Sequence, residues 1–107
     1  MEFISGIYLI LGVVFEVMGT TSMKLSQGFT RIWPSIGIFI FYGLSFTCLT
    51  IALKKIEVSL AYSVWAGLGT ALIAMIGIAF FRESITSIKF ISIALIIIGV
   101  IGLNSGK

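Results

Sequence analysis

One carboxylate stands inside a long apolar run. Between Phe3 and Met23 the only charged residue is Glu16. A carboxylate in such a segment is expensive to keep, and it faces a cavity or a partner that marks an ion or substrate pathway. Helical spacing gives it neighbours: Leu9, Gly12, Val13, Gly19, Thr20 and Met23 recur at three- and four-residue steps along its face. Gly12 and Gly19 lie one turn either side of the acid, where small residues admit another helix or leave volume for a ligand. No Lys or Arg stands in the middle of any other apolar run. A carboxylate in a low-dielectric setting then needs a proton or a mobile cation. Competition between the two for one site is the minimal chemistry of an exchanger.

The aromatic residues supply a second element. Tyr62 and Trp65 are three apart and share a helical face. Aromatic rings attract organic cations through their negative faces, by about 0.5–2 kcal/mol each. An interfacial anchor is the alternative reading, more so for Tyr62 near the start of its run than for Trp65. Tyr42 can add a ring or a hydroxyl. Gly67 and Gly69 follow directly and serve either as a hinge for alternating access or as close-packing positions. Ser92, Gly99 and Gly106 recur every seven residues with Gly102 beside them, a small-residue stripe assigned to a dimer interface. Cys48 reads as a small buried apolar residue.

The inventory narrows the chemistry further. There is no His, no Asp and a single Cys. Zinc and transition-metal sites lack their usual ligands, so no metal is expected. Triad and Cys–His catalysis lack a base, and no cofactor motif is visible. The expectation is a transporter, neither an enzyme nor a cofactor protein. Basic residues are dispersed and form no nucleic-acid stripe.

The elements that must position these residues follow from composition. Of 107 residues, 59% are hydrophobic and 10% charged, against about 45–50% and 25% in soluble domains. Too little polar surface is available to clothe a water-soluble monomer. A bilayer core takes about 20 helical residues per span. Charge-poor runs at roughly 3–23, 32–53, 58–81 and 87–105 give four transmembrane helices with short loops. They form one all-α membrane domain over 1–107. Alternating β-barrel segments of about 10 residues do not fit these long continuous runs. Trp33-Pro34 suits a helix start at the interface, and Gly28 suits the first turn. The start Met-Glu-Phe lacks the basic flank and cleavage site of a signal peptide.

Orientation is nearly unbiased. Lys54, Lys55 and Lys107 lie on one side; Lys24, Arg31, Arg82 and Lys89 lie on the other. Short basic loops stay cytoplasmic, so this near balance allows a weakly biased single topology or insertion both ways. One protomer has too few helices to enclose a drug-sized cavity around its acid. An antiparallel homodimer supplies two Glu16 side chains and the inverted repeat that many transporters carry within one chain.

The segment from Glu16 to Arg31, the run Trp33-Pro34-Ser35, and Ala61-Tyr62-Ser63-Val64-Trp65-Ala66-Gly67-Leu68-Gly69 resemble the signatures of the small multidrug resistance family of bacterial proton-coupled exporters. The likeness extends from the first span to Gly99-Val100. It implies a dual-topology antiparallel homodimer in the bacterial cytoplasmic (inner) membrane. It also implies exchange of protons for hydrophobic, aromatic and quaternary ammonium cations at the residue matched by Glu16. Family site positions match Tyr42, Tyr62 and Trp65, with Leu9, Gly12, Val13, Gly19, Thr20 and Ser45 on the implied substrate face. Gly12 replaces an Ala of many relatives, and Ser92 replaces a Gly of the family's fourth-helix seam. The guanidinium-exporting branch carries Trp-Ala where this chain has Gly19-Thr20, so the resemblance favours the multidrug branch. The alternatives are a guanidinium/proton exporter of the same family, a passive cation leak, and a noncatalytic membrane assembly subunit.

Overall fold

The computed structural model describes residues 3–105. Gly106 of the small-residue stripe and Lys107 of the charge count lie outside the described residues. The order is α1 (Phe3–Ser26), α2 (Ile32–Ala52), α3 (Val58–Phe80) and α4 (Ser87–Ser105), with no strand among the described residues. All four are long and apolar enough to cross a membrane. A continuous apolar run without water to solvate its backbone must satisfy every N–H and C=O internally, and a helix does so. Large side chains such as Phe39, Phe80, Trp33 and Ile88 lie exposed on the outside, where lipid is their natural solvent.

α1 continues past Met23 to Ser26. Hydropathy ends where Lys24 begins, but helical hydrogen bonding does not. The stop is conformational: Gln27, Gly28 and Phe29 take φ of 48°, 73° and 68°. Only Gly28 adopts that left-handed region without a Cβ penalty. The Gln27 amide returns to the Lys24 carbonyl at 3.4 Å, and Ser26 braces Phe29. Its Oγ donates to the Met23 carbonyl and accepts the Phe29 amide, and its carbonyl accepts the amides of Thr30 and Arg31. At the far end of α3 the amides of Phe81 and Glu83 both return to the Gly77 carbonyl, with Arg82 at φ 56°. Thr86 opens α4, its Oγ1 accepting the Lys89 amide at 3.1 Å.

The helices are arrayed as α2–α1–α3–α4, each packed chiefly on the next. The molecule measures 45 × 35 × 17 Å. Its thin dimension is about one and a half helix diameters, so the array is a bent layer and not a closed bundle. A small core of Leu9, Ala52, Ile56 and Ala61 ties α1, the α2–α3 turn and α3 together. α4 carries no buried residue. It touches α3 through Val100 and Ile96 against Gly67, and through Asn104, whose Nδ2 donates to Ser63 Oγ at 3.0 Å.

Candidate functional site

Glu16 sits half-buried on the face of α1 turned toward α3. The following turn of the same helix places Thr20 over it. Thr20 Oγ1 lies 3.1 Å from both Glu16 Oε2 and the Glu16 carbonyl oxygen. From α2, the Tyr42 hydroxyl reaches Thr20 Oγ1 at 2.7 Å and Glu16 Oε2 at 3.5 Å. A hydroxyl pair thus ties the carboxylate to a second helix while one oxygen stays turned to α3. That oxygen, Oε1, would lie 3.4 Å from a Cβ placed on Gly69. The missing side chain lets the acid approach the α3 backbone.

Between α1 and α3 lies a cavity of about 250 Å³, lined by Glu16, Thr20, Tyr62, Trp65, Ala66, Gly69, Thr70 and Ile73. The α3 members recur at three- and four-residue steps, so one stripe of that helix forms the wall. Trp65 and Tyr62 meet edge to face, with ring centroids 5.9 Å apart. Phe46 of α2 packs its ring against Trp65 at 6.3 Å and against Tyr42 at 5.8 Å. Four rings therefore run from the Glu16 hydroxyl network round to the cavity wall. Leu9 and its core neighbours support Trp65 from behind. A carboxylate facing a tryptophan and a tyrosine in a partly dehydrated cleft can hold a cation that is charged and apolar at once.

Of the residues expected at this site, the structure brings together Glu16, Thr20, Tyr42, Tyr62, Trp65 and Gly69. Leu9, Gly12, Val13, Gly19 and Ser45 are placed elsewhere, on the packed side of α1. Leu9 and Val13 are buried, and Ser45 Oγ donates to the Gly12 carbonyl at 2.6 Å. A Cβ on Gly12 would press on the Ser45 carbonyl at 3.3 Å, and one on Gly19 would overlap the Tyr42 ring at 2.7 Å. In this protomer these glycines provide close helix approach instead of ligand volume. The reason is geometric: a helical stripe wide enough to include Leu9 and Gly12 also spans two neighbours, α2 on one edge and α3 on the other. Gly67 likewise seats the Val100 side chain, 2.8 Å from a built Cβ, and α3 passes unbroken through both hinge candidates. Ser92, Gly99 and Gly102 are exposed, and nothing lies within 4 Å of a Cβ built on either glycine. Cys48 is half-buried near Gly12.

Sequence reasoning missed Ala66, Thr70, Ile73 and Phe46. The first three continue the Tyr62–Trp65–Gly69 stripe and were accessible from its period. Phe46 was not, because its role depends on how α2 crosses α3.

The family model described as Small Multidrug Resistance protein matches residues 1–96. The chain is 52% identical to the uncharacterized membrane protein YvaE of Bacillus subtilis over 92% of this chain and 82% of that protein. It is 44% identical to the multidrug resistance protein EbrB of Bacillus subtilis, covering 94% and 86% of the two. It is 39% identical to the quaternary ammonium compound-resistance protein QacG of a Staphylococcus species, covering 92% of each.

Proposed function

Since the chain belongs to the Small Multidrug Resistance family and is a multi-pass protein of the bacterial cytoplasmic membrane, we propose that it is a proton-coupled antiporter. It exports hydrophobic, aromatic and quaternary ammonium cations, and Glu16 binds either the substrate cation or the returning proton. The observation that carries this reading is the Glu16 carboxylate sharing one cleft with Trp65 and Tyr62. The acid supplies charge, the rings supply an apolar and cation-attracting wall, and both are needed to hold a lipophilic cation. Resistance names among the relatives support the same substrate class.

The working unit is an antiparallel homodimer. At about 250 Å³ and open on one side, the protomer's cavity is below the usual range for drug-sized ligands. A second copy supplies the opposite wall and a second Glu16. Two copies inserted in opposite senses form an inverted repeat, and exchanging their conformations turns an inward-facing site outward. Thr20 and Tyr42 hold the carboxylate in place through the exchange.

Adding tetraphenylphosphonium to purified protein in weak buffer, at a pH where Glu16 is protonated, is expected to release protons. Glu16→Gln is expected to abolish that release. Release that persists in Glu16→Gln removes the acid from the mechanism, and no release from the unmutated protein overturns the antiport reading.

A further inference from the structure

The site at Glu16 does not end at Thr20. A second cleft of about 150 Å³ begins there, sharing Thr20 and Ile73 with the first. It leads toward the end of the layer formed by the C-termini of α1 and α3, and its far walls carry Lys24, Phe81, Gly77 and Glu83. Lys24 lies eight residues beyond Glu16 on α1, about 12 Å along the axis. The two clefts share the Thr20–Ile73 wall and lie in succession from Glu16 toward the C-termini of α1 and α3.

The charges beside these clefts are uneven. This end of the molecule carries Lys24, Arg31, Arg82 and Lys89, with Glu83 as its one acid. An approaching cation is repelled by every fixed charge there except Glu83. The turn sets that residue against α3: Glu83 follows the left-handed Arg82, its amide returns to the Gly77 carbonyl at 3.0 Å, and its exposed carboxylate lies against Gly77. A Cβ at Gly77 would overlap the carboxylate. Lys89 is engaged by the backbone beside the acid, its Nζ donating to the Ser84 carbonyl at 2.7 Å. Lys24 supplies the opposing charge across the cleft, and Phe81 offers a ring to whatever sits between them.

Building on the antiport reading, we infer that the Lys24–Glu83 cleft is an outer staging site for organic cations on their way to Glu16. Glu83 attracts the cation, Phe81 contacts its apolar surface, and Lys24 opposes its entry by like-charge repulsion. Such a site acts on the rate of arrival more than on final affinity, because a charge at the rim steers encounter without contacting the bound state.

The test is stopped-flow association of tetraphenylphosphonium with the full chain in nanodiscs of zwitterionic lipid, which removes headgroup charge as a source of attraction. At low ionic strength Glu83→Gln is expected to slow association roughly threefold to tenfold, and Lys24→Gln to hasten it by a similar factor. Both effects should shrink toward unity in high salt. Glu83→Lys, which reverses the charge, should slow association further than Glu83→Gln, and it keeps the test open if that variant fails to fold. Proton release at saturating cation should be unchanged in all three. Association at the wild-type rate in Glu83→Gln or Glu83→Lys, or no acceleration in Lys24→Gln, overturns the staging site. If the unmutated protein neither binds the cation nor releases protons, the antiport reading itself has failed instead.

Discussion

The contact between α1 and α2 and the exposed side of α4 are built from the same materials, apolar residues and glycines, and are used in opposite ways. Along α1, Gly12 and Gly19 sit beneath α2 so closely that a methyl group would press on the Ser45 carbonyl or the Tyr42 ring. Along α4, Gly99 and Gly102 face open space, and no side chain of that helix is buried. One glycine-bearing face is finished within the protomer and the other is left uncovered. In water an uncovered apolar helix would be a defect. In a bilayer it is solvated by lipid, so α4 need not be covered for the chain to fold. The contrast separates what holds one protomer together from what is available to a second copy.

The same substitution should therefore behave differently on the two faces. Gly12→Leu overpacks the α1–α2 contact and is expected to destabilise the protomer by up to about 3 kcal/mol. Thermal unfolding in detergent would read this, and an unchanged midpoint would show that the contact is loose. Trp65→Ala removes a ring from the open side of the layer. Cation affinity should weaken by up to about 2 kcal/mol, roughly thirtyfold, alongside some loss of thermal stability because the ring also packs on the Leu9 core. Equilibrium dialysis with tetraphenylphosphonium measures it, and an affinity within twofold of wild type would assign Trp65 to packing alone. Ser45→Ala deletes the hydrogen bond to the Gly12 carbonyl. Within a membrane such a bond is worth about 0.6 kcal/mol on average and at most about 1.7, so a small drop in the unfolding midpoint is expected, with cation affinity intact. Gly99→Leu should change protomer stability least, within about 0.5 kcal/mol, yet lower the crosslinked dimer fraction if a second copy covers α4. A large loss of protomer stability in Gly99→Leu would erase the contrast between the faces.

Several of these features were legible before any coordinates. Glu16 stood out because an isolated acid in an apolar run has few explanations. Tyr62 and Trp65 were placed together by their spacing, and the wall they form continues through Ala66, Gly69 and Ile73. Other residues expected beside Glu16 are placed away from its cleft for a common reason. Leu9, Gly12, Val13 and Gly19 do share a face with Glu16, but that face bends around α1 and its two edges meet different helices. The period of a sequence reports which residues lie side by side, not which helix covers them. Glu83 belongs to the same category: it appears as one loop charge among several until the turn after α3 folds it over Gly77.

By itself, the sequence determined that this chain lives in a membrane as helices. Hydropathy and the need to satisfy backbone hydrogen bonds in lipid are local properties, summed along the chain. It also singled out Glu16, the one charged residue between Phe3 and Met23, as the residue to explain. The tertiary structure alone decided that α2 covers one edge of α1 while α3 leaves a cleft along the other. It also decided that Phe46 backs Trp65, and that Thr20 lies in the wall of both clefts. Those outcomes depend on helix crossing and on which small residue meets which ring, and such pairings between distant segments are not encoded in the period of either.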